Sequence, residues 1–386
     1  MSRSRLTRWS AASVAAIAAL VLAGCGGGSS GGDAAAPAAS DAERAACVDA
    51  ANRFLADWGA LPTALPASPP ARYTNVTAPV PPGKKIAYLS QGYPADKTTS
   101  EAIAAAVAKV GWTSQTYIYD STVPDLQAKF QTALETKPDY IGLSGFPAAA
   151  IQKQIDAAKE AGIGVILASV TDQPAGPTGL AATVNGTDTA QLIGRIHANK
   201  VLSDSGCNAK VALFTMDYPI LKVTDDAFQA ALTEKCPACT VKVTALQPQD
   251  LGTPKATAQM MAQLQADPSL KYAYTEIGNI ANGLAQALKT GGLEDVRIFG
   301  EVPDEASYAA LRNNTNAWWV DQSSLTNGYD IVDAAVRIAA TGQPQTDAGG
   351  YPLALLTPEN VPGGTGIPTI PANLLDLYSA TWRPAS

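Results

Sequence analysis

The sequence predicts an α/β protein of two similar Rossmann-like lobes, each a parallel sheet with helices on both faces. Three observations predict it. Strand-like apolar runs begin at Ile86, Gln115, Tyr140 and Val165, about 25 to 29 residues apart, and each is followed by a helical stretch, the spacing of βαβ units. After Gly206 the alternation restarts, with strands expected at Val211, Val241, Tyr272 and Val296. The chain has 386 residues, 46% hydrophobic and 16% charged, enough for two domains of ordinary size.

Taken in order, the first 24 residues are an export leader. Arg3, Arg5 and Arg8 precede the apolar run Ala11 to Leu22, which is too short for a membrane span. The run ends in Leu22, Ala23, Gly24 and Cys25, which resembles the bacterial lipobox; Cys25 is then the lipidated first residue of the mature protein. Residues 25–40 are almost all Gly, Ser, Ala and Pro and read as a flexible tether. Residues 41–83 form an N-terminal piece: Asp41 to Trp58 has helical spacing, and the prolines of Leu61 to Gly83 make an extended strap.

The body begins near Lys84. Between its strands, Leu126, Phe130 and Leu134 share one helical face, as do Ile151, Ile155 and Ala158, with Gly162 placed to end that helix. Right-handed crossovers then give a parallel sheet covered on both sides. In the second half, helices are expected over Thr189 to Leu202, Asp225 to Glu234, Ile280 to Lys289 and Asn327 to Ala340, followed by a short strand near Leu353 to Leu356. Ligands of such sheets lie at the carboxyl ends of the strands, so the cleft between lobes is the expected site.

Charge narrows the function. There are 27 basic and 34 acidic residues; removing the leader with its three arginines leaves 24 and 34, a net charge near −10. Such a chain assembles no strongly basic face for nucleic acid. With one histidine, His197, a histidine-rich metal site is excluded, and so is a Ser-His-Asp or Cys-His centre, because His197 falls within an apparent amphipathic helix. Gly162-Ile-Gly164 precedes its strand and so is not a dinucleotide-binding loop. No cofactor or metal is expected.

The order of elements resembles the type I periplasmic binding proteins, the ribose- and galactose-binding family that supplies ABC importers. The resemblance spans about Lys84 to Val361. It rests on KKIAYLS at 84–90, PDYIGLS at 138–144, AGIGVILA at 161–168, AFQAAL at 227–232, YAYTE at 272–276 and VRIFG at 296–300. It implies a three-strand hinge, with crossings near Val184 to Gly186, Gln322 to Ser324 and Gly349 to Pro352. The first lobe is then 84–185 plus 323–348, and the second 186–322 plus 349–386. It also implies closure of the lobes on a small solute, handed to a membrane permease by a monomer anchored through its lipid at the outer face of the cell membrane or in the periplasm. A solute-presenting sensor module is the rival role, and a cleft hydrolase using Glu276, Glu301 and Asp321 a further one.

Candidate cleft residues follow the strand ends. In the first lobe these are Ser90, Gln91 and Tyr93, then Phe146, then Ser169 and Asp172. In the second they are Asp217, Tyr218 and Lys222, then Glu276 and Asn279, then Glu301, with Gln322 at a crossing where ribose-type members carry glutamine. Several family positions differ. Ser169-Val170 replaces the usual Asp-Arg, Thr224 replaces an arginine with Lys222 the nearest cation, Ile277-Gly278 replaces Asn-Asp, and Ala95 and Asp96 replace paired phenylalanines. These departures predict poor binding of common hexoses and fit a modified sugar, a polyol or a small aromatic solute.

Four cysteines remain beyond Cys25. In an exported protein Cys47, Cys207, Cys236 and Cys239 are expected to pair. Cys207 and Cys236 each lie just before a strand of the second lobe, so a bond from Cys207 to Cys236 or Cys239 is the expectation; a redox CxxC and a zinc site are the alternatives.

Overall fold

The computed structural model describes residues 39–67, 73–76, 78–171, 175–176, 179–251, 253–346 and 349–382. The leader, Cys25 and Asp172 lie outside the described residues. In chain order α1 (Asp41–Leu55), which lies against the second lobe, precedes the first lobe's β1 (Lys85–Ser90), α2 (Pro94–Ala108), β2 (Thr113–Ile118), α3 (Val123–Glu135), β3 (Tyr140–Ser144), α4 (Gln152–Glu160), β4 (Gly164–Ala168) and β5 (Ala182–Val184). Then come α5 (Thr187–Ser205), β6 (Lys210–Thr215), α6 (Pro219–Lys235), β7 (Thr240–Ala245), α7 (Pro254–Ala266), β8 (Tyr272–Thr275), α8 (Gly278–Ala281), α9 (Leu284–Thr290), β9 (Arg297–Glu301), α10 (Glu305–Arg312), β10 (Trp318–Asp321), α11 (Ser324–Thr341), β11 (Ala354–Leu356) and α12 (Leu374–Ala380).

The first sheet runs β2-β1-β3-β4-β5 and is parallel throughout. The second runs β11-β10-β9-β8-β6-β7, parallel except for β11, which pairs antiparallel with β10. The same winding order opens both lobes, so the expected α/β architecture of two parallel lobes is what the chain forms. Near-continuous apolar strands such as β4, with Val165 to Ala168 all buried, require helices on both faces. On the first sheet these are α2 and α11 on one side and α3 and α4 on the other. The second sheet has α5, α6 and α1 on one face, with α7, α9 and α10 opposite.

Local sequence explains the boundaries. Thr122 caps α3, its hydroxyl accepting from the Asp125 amide, with Pro124 in the first turn. Gly206, at φ 63, ends α5, and Gly342, at φ 69, ends α11. The single helix expected over Ile280 to Lys289 is two, α8 and α9, because Gly283 takes φ 82 and breaks the ladder between them. Strands β5 and β10, unassigned in the sequence, lie just before two passages of the chain from one lobe to the other.

Two expectations are corrected. The segment 349–386 does not stay with the second lobe: α12 buries Leu374, Tyr378 and Trp382 in the first lobe's core. Tyr378 Oη donates to Asp330 Oδ1 at 2.5 Å and Trp382 Nε1 to Asp333 Oδ1 at 2.7 Å, both acceptors on α11. The disulfides are Cys47–Cys207 and Cys236–Cys239, not a bond from Cys207 to Cys236 or Cys239. The N-terminal helix packs along α5, which brings Cys47 to the Cys207 that follows α5. Cys236 does lie beside Cys207, its sulfur 3.2 Å from the Cys207 carbonyl oxygen, but its bonded partner is Cys239.

Candidate functional site

A cavity of about 120 Å³ lies between the lobes at the carboxyl ends of both sheets. Right-handed crossovers put every β-to-α loop at that end, so residues far apart in sequence converge there. From the first lobe, the loop after β1 brings Gln91 and Tyr93, and the first turns of α2 bring Ala95, Asp96 and Thr99. Ser144 and Gly145 follow β3, Ser169 follows β4, and Ser324 and Asn327 come from the start of α11. The second lobe supplies Met216 and Tyr218 after β6, Ile220, Leu221 and Thr224 on α6, and Ile277 after β8. Glu301 and Val302 close β9, Gln322 follows β10, and Ala190 comes from α5.

Contacts across the cleft hold the lobes together. Tyr218 Oη of the second lobe donates to Gln91 Oε1 of the first at 3.3 Å. The Tyr218 ring also meets Phe146 edge-on, with centroids 6.0 Å apart. At the passages between lobes, Gln322 Nε2 donates to Asn185 Oδ1, and Asn185 Nδ2 donates to Ser169 Oγ at 2.8 Å.

Carboxyls surround the site. Asp96 accepts from the Tyr88 hydroxyl and the Gln91 amide; burial raises its pKa, and these donors oppose the rise. In the second lobe Thr215 Oγ1 lies 2.7 Å from Asp225 Oδ2 and 2.6 Å from Glu276 Oε1. One hydroxyl proton serves only one acceptor, so the other carboxyl must itself carry a proton and donate to Thr215. Burial accordingly pushes Asp225 up to about 6 and Glu276 well up, with the charge of Asp225 adding to the effect on Glu276. Glu301 is raised by burial and then by Asp225.

Of the residues singled out in the sequence, Gln91, Tyr93, Ser169, Tyr218, Glu301 and Gln322 line the cavity. Ser90 is buried below it, its hydroxyl accepting from the Gly92 amide. Phe146 stands one ring back, between Tyr119 and Tyr218. Glu276 lies in the second lobe's floor, held by the Met216 amide at 2.7 Å, and Asn279 is buried beside it in sequence, off the cavity wall. Asp217 and Lys222 are corrected: both point to solvent, and Lys222 pairs with Asp226 one helical turn on. This follows from α6 beginning at Pro219, which turns Lys222 to the outer face while Ile220 and Thr224 face inward.

Sequence reading missed the contributions of helix starts, such as Thr99 and Asn327, because it followed only strand ends. Asp96, Thr224 and Ile277 had a signal: each stands where the resembled family carries a different side chain. His197 is far from this chemistry. It is fully buried in the second lobe's core, its Nδ1 accepting from Trp318 Nε1 at 3.2 Å, and desolvation depresses its pKa to about 3.

Comparison with known proteins gives three findings. Residues 80–344 match the family model of a periplasmic binding protein domain. No curated protein matches the chain. Among solved structures, the chain is similar to an ABC transporter solute-binding protein from Agrobacterium vitis with bound allitol, at 20% identity and TM-score 0.62, over 72% of this chain and 97% of that one. A Mycobacterium smegmatis counterpart with bound glycerol aligns at 21% identity and TM-score 0.60, over 74% and 99%. The solute-binding protein of a 5-methylthioribose transporter from Thermotoga lettingae, in complex with 5-methylthioribose, aligns at 14% and 0.62, over 76% and 88%.

Proposed function

The chain belongs to the periplasmic binding protein family, and from that premise we propose that it is an extracytoplasmic solute receptor, lipid-anchored at Cys25, that delivers a small sugar-like or other polar solute to an ABC permease. The observation that carries this reading is the cavity itself. It is enclosed by both lobes, and its wall includes Gln322, which lies on the passage from β10 to α11, so closing the lobes and enclosing a solute are one event. The wall offers amides, hydroxyls and tyrosine rings suited to holding a solute.

A thermal-shift screen across sugars, polyols, nucleosides and aromatic acids, with calorimetry on the best hit, tests the binding role. Poor binding of glucose and ribose is expected, and tight binding of either would refute the weight given to Ser169, Thr224 and Ile277. Membrane fractionation of wild type and Cys25→Ala tests the anchor: the variant is expected in the soluble fraction, and equal solubility of both forms would remove the anchor from this reading.

A further inference from the structure

The two walls of the cavity differ in chemistry. The first lobe presents hydrogen-bonding groups, among them Gln91, Ser144 and Asn327. The second is mainly apolar, with Met216, Ile220, Ile277 and Val302, and Glu301 is set in that surface. The other carboxyl at the cavity, Asp96, is occupied within its own lobe by the Tyr88 hydroxyl and the Gln91 amide. Glu301 is not so served. It is 1% exposed, and among the described residues its side chain receives one hydrogen bond, from Tyr274 Oη at the long distance of 3.3 Å.

Nor do the described residues give it a counter-charge. Among the described residues no lysine or arginine lines the cavity. Lys222, the nearest candidate in the sequence, is spent on Asp226 at 2.7 Å in solvent. Asp225, which shares the Thr215 hydroxyl with Glu276, adds its charge on the same side of the cleft. A carboxylate buried in an apolar wall without a partner cation is strongly disfavoured, and a bound cation removes that penalty. The rings of Tyr93 and Tyr218 line the same space and favour a positive charge near their faces.

We propose that the cleft selects a small solute bearing a protonated nitrogen on an otherwise uncharged, hydroxylated or aliphatic body, with Glu301 as the counter-charge for that nitrogen. The inference rests on the reading of this cavity as the solute site. The amides and hydroxyls of the first lobe take the body's hydroxyls, and the apolar wall takes its carbon skeleton.

Matched probes test this on the full mature chain by calorimetry: glucamine against sorbitol and glucosamine against glucose. The nitrogenous member is expected to bind about tenfold tighter or more in at least one pair, and Glu301→Gln to abolish that preference, bringing the ratio of the two affinities to about one. Glu301→Asp should restore part of it. If neutral members bind as tightly as their nitrogen analogues and lose affinity in Gln322→Ala, the solute site stands and the charge selection falls. A nitrogen preference that survives Glu301→Gln also overturns the proposal. If no probe of either kind binds by calorimetry or thermal shift, the site reading falls with it.

Discussion

Gln322 donates its side-chain amide to the Oδ1 of Asn185, so the residues at two separate passages of the chain between lobes are bonded to each other at the edge of the cavity. Asn185 passes the connection on to the Ser169 hydroxyl, and both Asn185 and Ser169 hold left-handed backbone, at φ 58 and φ 54. Side chains at the passages between lobes are thus in the same hydrogen-bonded string as side chains that line the cavity.

Gln322→Ala should weaken solute binding by roughly 5- to 150-fold, the range for loss of one buried hydrogen-bond partner of about 1 to 3 kcal/mol. Neither lobe should unfold, because Gln322 lies outside all four apolar cores. Calorimetry with the best hit of the solute screen, beside a thermal melt, separates the two effects; affinity unchanged in both Gln322→Ala and Glu301→Gln would mean that the site is elsewhere.

The covalent link between Cys47 and Cys207 closes a loop of sequence separation 160 and fastens α1 to α5. Chain entropy alone assigns such a closure about 5 kcal/mol. Cys47→Ser combined with Cys207→Ser should therefore lower stability by several kcal/mol, read by denaturant unfolding. A non-reduced proteolytic digest is expected to yield a cross-linked peptide pair containing Cys47 and Cys207 and a single peptide containing the Cys236–Cys239 bridge; a Cys207 to Cys236 peptide would contradict the fold described.

Asp321 is fully desolvated, which pushes its pKa up to about 7 from an ordinary 3.8. The folded chain then holds this proton more tightly than the unfolded chain. The contribution to stability is full below about pH 4 and is lost as pH rises through 7. Asp321→Asn should remove that slope, leaving the variant relatively more stable than wild type at pH 8 than at pH 4, by up to about 4 kcal/mol. Denaturant midpoints at the two pH values check this, and parallel profiles for both proteins would show that Asp321 ionises normally.

Gly194 lies where α5 crosses α6. A Cβ there would sit 2.4 Å from the Thr224 carbonyl oxygen and 2.8 Å from the Phe228 amide nitrogen, both backbone atoms. Gly194→Ala must push the helices apart, at a cost of about 1 to 3 kcal/mol or more. Since Thr224 lines the cavity, solute affinity should fall as well. A melting temperature and affinity both equal to wild type would show that the pair can slide without loss.

The strands legible in the sequence were those carried by the βα alternation or by an apolar run, the four-residue β8 and the three-residue β11 included. Strand β5 has three residues and β10 four, and what makes each a strand is pairing with a neighbour already in place, which no local pattern reports. Gln91, Tyr93, Ser169, Tyr218, Glu301 and Gln322 fall on the cavity wall because strand ends are a rule of topology. Thr99, Ser324 and Asn327 escaped because helix starts face the cleft only once α2 and α11 are packed together. The cysteine partners escaped for the same reason: the approach of Cys47 to Cys207 depends on where α1 docks, a long-range fact.

Beyond the three expected passages, the strap and the C-terminal segment each span the lobes once more. Leu61 packs on the second lobe while Leu65, Val76 and Val80 pack on the first. Ile370 packs on the second lobe and Leu374 on the first, and the two segments meet where the Val76 amide donates to the Thr381 carbonyl oxygen at 2.7 Å. Separating the lobes must therefore strain or peel two further chain segments. If the lobes close on a solute as proposed, these two bridges are expected to lower the free protein's open population, so that the solute's affinity carries little of the usual penalty for drawing the lobes together. The cost is then expected in the kinetics, with entry waiting on a rare opening, slow gated association and a long residence time.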